Sequence, residues 1–168
     1  MDEIQLKKEI GKMQLDASEW GESLNWYYRD LNVHFRVTGN KSSTPLILIH
    51  GFGASSDHWR NNAELFASEG FRVYGIDLIG FGRSEQPLQS KIKYLDNYFW
   101  AKQIATFLDE VVDIKKNGKA VIIGNSLGAL TAITTLTLKP DAIKAVVAAP
   151  LPEPLLMNPF EALIPVWF

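Results

Sequence analysis

The sequence predicts an α/β fold: a mostly parallel sheet covered by helices on both faces, entered through an antiparallel hairpin. Three observations predict it. Short continuous apolar runs such as PLILIHG end at glycine, as strands buried on both faces do. These runs alternate with segments of helical periodicity. One run, KAVIIGNS, leads directly through a glycine-flanked serine into an apolar helix.

The elements follow in order. Residues 1–22 are polar and weakly periodic and read as disordered rather than as a frayed helix. LNWYYRD and NVHFRV are aromatic and β-branched and form a hairpin joined by Arg29-Asp30-Leu31-Asn32. A polar loop spans Gly39 to Thr44, and PLILIHG follows as a buried strand. His58 to Glu69 reads as a helix with Trp59, Ala63, Leu65 and Phe66 on its apolar face, Asp57 as N-cap and Gly70 as stop. FRVYGID is the next buried strand, and IGFGRSEQPLQS is a glycine- and proline-containing loop. Leu95 to Val112 is a longer helix with Phe99, Ile104, Phe107, Leu108 and Val111 or Val112 at helical spacing. Lys115 to Gly118 is a turn, Leu127 to Leu138 is a helix stopped by Lys139-Pro140, and AIKAVVAAP is a final strand. Residues 23–150 therefore form the core, and the proline-rich 151–168 departs from the rhythm.

Composition narrows the classes of function. A chain 46% hydrophobic and 21% charged with a formal net charge of -2 is an ordinary globular protein with no electrostatic footprint for nucleic acid. The absence of cysteine excludes disulfides, thiolate metal sites and a cysteine nucleophile. The first twenty residues contain no apolar signal region, and no run is long enough to span a bilayer. Cytoplasm is the default expectation.

The chemistry is concentrated in Gly124-Asn125-Ser126-Leu127-Gly128, a G-x-S-x-G sequence between a buried strand and a helix. A serine on such a turn is held in a strained backbone conformation, and the glycines admit neighbours too close for a Cβ. Ser126 is the candidate nucleophile. The alternative, that Ser126 only caps the helix, leaves both glycines unexplained. His50-Gly51-Phe52-Gly53 ends the first buried strand, where a loop supplies the second oxyanion donor; the donors expected are the backbone N–H groups of Phe52 and Leu127. GFGRSE lacks the third glycine of a dinucleotide fingerprint.

LILIHGFGASSDHW, GIDLIGFGRS and VIIGNSLGAL, in that order, resemble the α/β-hydrolase fold-1 family from Trp26 to Pro150. Epoxide hydrolases and haloalkane dehalogenases of that family carry aspartate where this chain has Ser126. The resemblance therefore implies the acyl-transfer branch of esterases, lipases, thioesterases and C–C bond hydrolases. It implies an acyl-serine intermediate, a small hydrophobic ester-type substrate, and no metal or cofactor. His50 is implied to shape the oxyanion loop, supported by Gly51 and Gly53. Asp77, Gly80, Gly82, Arg83 and Ser84 are implied to be mainly architectural. GNSLG with HGFGAS is also similar to cyanobacterial and plastid hydrolases, some of which remove the phytyl chain of chlorophyll-type pigments; by analogy the compartment would then be a cyanobacterial cell or a plastid.

The triad is incomplete. In this family the order is Ser, acid, His, yet His34, His50 and His58 all precede Ser126. His34 reads as a surface or half-buried strand residue, and His58 as a residue opening a helix. Asp141 and Glu153 are candidate acids, with the expected acid lying beyond Phe168. LLMNPFEALIPVWF resembles the start of the family's cap, so the expectation is a sheet truncated after about the sixth strand, with AIKAVVAA as an exposed apolar edge. Two other readings remain open: a catalytically incompetent fragment or binding remnant, and a C–C bond hydrolase.

Overall fold

The computed structural model describes residues 19–88 and 95–150. Expectations for residues 1–18, for Glu153 and for the cap-like segment 151–168 lie outside the described residues. Among the described residues, six strands form one sheet in the order β1-β2-β4-β3-β5-β6. They are β1 Glu22–Tyr28, β2 Leu31–Thr38, β3 Thr44–Ile49, β4 Phe71–Ile76, β5 Ala120–Gly124 and β6 Ile143–Ala148. β1–β2 and β2–β4 pair antiparallel, whereas β4, β3, β5 and β6 run parallel. Four helices accompany them among the described residues: α1 Ala63–Ser68, α2 Asn97–Glu110, α3 Ile114–Asn117 and α4 Leu127–Leu138.

Strand β3 shows why the apolar runs lack alternation. Ile47 and Ile49 join a core with Phe35, Tyr74, Ile104 and Phe107. Leu46 and Leu48 point the other way, into a second core with Trp20, Trp59, Ala63 and Val73. Successive side chains alternate across the sheet and both faces are covered, so every position is apolar. Burying each such side chain contributes about 1.5–3 kcal/mol. In α2, Trp100, Ala101, Ile104, Phe107 and Leu108 are buried, and the helix starts at the N-cap Asp96, whose carboxylate accepts from the Phe99 N–H at 2.7 Å. It packs on α4, where the Thr131 hydroxyl lies 2.9 Å from Asn97 Oδ1.

Five local expectations are corrected. The hairpin turn is two residues, not four: Arg29 and Asp30 both adopt positive φ (51° and 62°), the geometry that matches strand twist, so Leu31 and Asn32 already belong to β2. The helix read over His58–Glu69 is two pieces, a 3-10 turn at Ser56–Trp59 and then α1. The cap is accordingly Ser55, whose hydroxyl accepts from the Asp57 N–H, and not Asp57. Lys115–Gly118 belongs to a one-turn helix closed by Gly118 at φ 83°. His34 is buried, not superficial, because β2 lies between β1 and β4 in the sheet. As expected, β6 borders the sheet: it pairs only with β5 among the described residues, and Val147 is half exposed.

Candidate active site

The parallel strands β3, β4, β5 and β6 all end at the same edge of the sheet, where ligand sites of such folds form. His50 and Gly51 follow β3, Asp77 follows β4, Asn125 and Ser126 follow β5, and Ala149 follows β6. Backbone bonds lock these ends together. The Asn125 N–H donates to Ile49 O at 3.0 Å, the Ala149 N–H to Gly124 O at 3.2 Å, and the Ser126 N–H to Pro150 O at 3.1 Å.

Ser126 has φ 51° and ψ -112°, far from the allowed regions of an L residue, and its hydroxyl makes no capping bond to α4. The simple N-cap reading therefore has no support in the geometry. Such a conformation costs about 1–3 kcal/mol and persists only where the surroundings enforce it. The glycines show how. A Cβ on Gly124 would collide with the backbone of Gly128, and one on Gly128 would collide with the carbonyl oxygens of Ile49 and His50. A Cβ on Gly51 would sit 2.8 Å from Asn125 Oδ1 and 3.5 Å from Ser126 Cβ, so the HGFG turn lies against the serine. Strain stored at position 126 leads to a prediction. Ser126→Gly should be about 1 kcal/mol more stable to urea than Ser126→Ala, since both lose the hydroxyl and only glycine relaxes at positive φ.

Gly51–Ala54 is a turn closed by the Ala54 N–H on Gly51 O at 3.2 Å, with Gly53 at φ 69°. Phe52 heads that turn and is exposed. Neither the Phe52 nor the Leu127 N–H has a hydrogen-bond acceptor among the described residues. Phe52 packs edge-on against Phe81 (5.3 Å between centroids), which in turn lies against Trp100 (5.7 Å) and His50 (5.7 Å). An aromatic wall thus flanks the turn.

His50 is fully buried and both ring nitrogens are occupied. Nε2 accepts from the Leu78 N–H at 3.1 Å, so Nδ1 carries the proton and donates it to Gly51 O at 2.7 Å. Burial pushes its pKa down, against the Gly51 bond and the Asp77 charge, and holds the ring neutral. His50 therefore ties the oxyanion-loop candidate to the loop that follows β4 and has no nitrogen free for Ser126. His58 is exposed and meets Trp59 edge-on, 4.9 Å between ring centroids. Asp141 lies in a 3-10 turn before β6, at the opposite end of that strand from Ser126. No histidine hydrogen-bonds Ser126 among the described residues.

Asp77 is the hub of the neighbouring loop. Oδ2 accepts from His34 Nδ1 at 2.9 Å and from the Arg83 N–H at 2.8 Å, and Oδ1 accepts from the Ser56 N–H. Burial alone would raise its pKa, but these donors outweigh it and bring the carboxyl to about 2. Gly82, at φ 56°, passes so close that a Cβ would strike the Asp77 carboxylate. The buried Arg36 pairs beside it with the partly exposed Asp57, Nε to Oδ1 at 3.0 Å. The sequence reading missed this network, although NVHFRV held a signal: alternation puts His34 and Arg36 together on one face of β2, opposite Val33, Phe35 and Val37.

The family model described as the alpha/beta hydrolase fold matches residues 44–167. The chain is 32% identical over 106 residues to a 2-hydroxy-6-oxo-6-(2'-aminophenyl)hexa-2,4-dienoic acid hydrolase of Metapseudomonas resinovorans, covering 61% of this chain and 34% of the relative. It is 28% identical over 120 residues to an epoxide hydrolase of Caballeronia sordidicola, covering 71% and 35%. Among solved structures, epoxide hydrolase A from Mycobacterium thermoresistibile superposes with a TM-score of 0.66 at 25% identity, covering 76% of this chain and 38% of that one. The chain thus spans about a third of the length of these relatives.

Proposed function

Because the chain belongs to the alpha/beta hydrolase fold family, we propose that Ser126 is the nucleophile of a serine hydrolase that cleaves an ester or related acyl bond through an acyl-serine intermediate. The observation that carries this reading is the enforced positive φ of Ser126, with its hydroxyl uncommitted to the helix it precedes. In the proposed reaction Ser126 Oγ attacks the acyl carbon. The Phe52 and Leu127 N–H groups receive the charge that develops on the carbonyl oxygen, a contribution of about 3 kcal/mol per donor. The positive end of α4 acts in the same sense. The exposed ring of Phe52 supports an apolar acyl or alcohol group beside that oxygen. The attack also needs a proton acceptor, and none of the three histidines hydrogen-bonds Ser126 among the described residues.

The test is a fluorophosphonate probe with the adduct mapped by peptide mass spectrometry. Labelling of Ser126 is expected to accelerate when free imidazole is added as a surrogate base, and Ser126→Ala should lose the adduct from that peptide. A folded chain whose Ser126 stays unmodified with and without imidazole overturns the reading and favours a binding role for the same surface. A second reading directs the same serine at a C–C bond; the likeness to the dienoic acid hydrolase favours it. Turnover of dienoic acids against simple esters separates the two.

A further inference from the structure

A second serine of this chain stands in a relay that Ser126 lacks. Ser23 is an exposed residue of β1, and its Oγ lies 2.8 Å from His34 Nε2. The other ring nitrogen, Nδ1, lies 2.9 Å from Asp77 Oδ2. The Asp77 carboxylate can only accept, so Nδ1 must donate to it, and the neutral imidazole then presents a lone pair at Nε2 to the Ser23 hydroxyl. The acid is fixed in turn by the Ser56 and Arg83 N–H groups. Nucleophile, base and orienting acid are therefore linked in the sense that serine catalysis requires. Charge is present as well. Arg36 is the direct cross-strand partner of Ser23 and so lies on the same face of the hairpin. Its guanidinium is buried, and its Nη2 has no hydrogen-bond partner among the described residues, with Glu19 Oε1 at 3.6 Å as the nearest ion-pair oxygen.

We propose that Ser23, His34 and Asp77 form a second, independent nucleophilic site that accepts acyl or phosphonyl groups from small activated esters. With p-nitrophenyl acetate, Ser23 Oγ bonds to the carbonyl carbon while its proton passes to His34 Nε2. The bond to the p-nitrophenyl oxygen then breaks, and His34 returns the proton to that oxygen. The products are acetyl-Ser23 and p-nitrophenol. Ser23 and His34 are the catalytic residues of this step; Asp77 is a positioning residue.

The test uses the Ser126→Ala chain treated with p-nitrophenyl acetate, followed by peptide mapping. Acetylation of Ser23 is expected at least about 100-fold faster than that of Ser68, an exposed serine whose hydroxyl is bound only to Leu65 O. Ser23→Ala should abolish it, and His34→Gln should bring it to the Ser68 rate. A second measurement does not depend on how well a buried histidine variant folds. The chain has no cysteine, so iodoacetamide reads only an introduced thiol. At mildly acidic pH, Ser23→Cys should alkylate about 100-fold faster than Ser68→Cys, because the imidazole draws off its proton. Equal alkylation rates, or acetylation of Ser23 no faster than of Ser68, would overturn the proposal and leave the three residues as a structural clasp.

Discussion

Gly128→Ala is expected to lower the stability of the chain by at least about 3 kcal/mol, enough to leave much of it unfolded. Gly128 sits in the first turn of α4, and an added Cβ would overlap the carbonyl oxygens of Ile49 and His50. Those atoms are backbone at the end of the central strand, so no rotamer change relieves the clash. The helix would have to withdraw from the sheet, which separates the two turns that meet at Ser126. Gly124→Ala should behave alike, since its Cβ would meet the backbone of Gly128 itself. Gly53→Ala is the control. Its φ of 69° is unfavourable for alanine, but nothing lies within 4 Å of the new atom, and a loss of only about 1 kcal/mol is expected. Urea midpoints of the three variants decide the matter. Equal losses at positions 53 and 128 would mean that backbone conformation alone, and not close approach, selects these glycines.

The difference between those glycines also explains what could be read in advance. The G-x-S-x-G turn was legible because its cause is local: a strand, a strained residue and a helix that follow one another without interruption from Ala120 to Leu138, with glycine at the two points of closest approach. The boundaries of α4 were legible for the same reason, with Ser126 before it and Lys139-Pro140 after it. The break between Trp59 and Ala63 was not. The apolar spacing continues across it, while the chain is actually turned by the Asn62 N–H bonding to Trp59 O at 2.9 Å. The hairpin turn was overestimated because Leu31 and Asn32 carry no mark of belonging to the strand, and the positive φ at Arg29 and Asp30 falls on residues other than glycine. The partner of His34, Asp77, lies 43 residues away, and no local pattern reports such a pairing. By contrast, the order of the three histidines, all before Ser126, is read from the sequence alone.

Asp77→Ala is expected to cost about 4 kcal/mol at neutral pH, the largest loss of any polar substitution here. The carboxylate is buried and accepts from three donors: His34 Nδ1, the Ser56 N–H and the Arg83 N–H. Each donor left buried without a partner costs about 1–3 kcal/mol, and the cavity adds to that. Asp77→Asn should recover only part of it, because its NH2 group would face a donor. The same carboxylate sets an acid limit. Its pKa is about 2 in the folded chain against 3.8 ordinarily. A depressed carboxyl pKa contributes stability that is complete above the ordinary value and is lost as pH falls through the folded one. Wild type should therefore lose about 2 kcal/mol from this group as pH falls from about 4 to 2. Asp77→Ala has no such proton to take up, so its deficit relative to wild type should shrink by about that amount over the same window. Urea unfolding at pH 7, 4 and 2 measures both effects. A deficit that stays constant with pH would show that the loop is held by shape and packing, and that the charge on Asp77 contributes nothing to it.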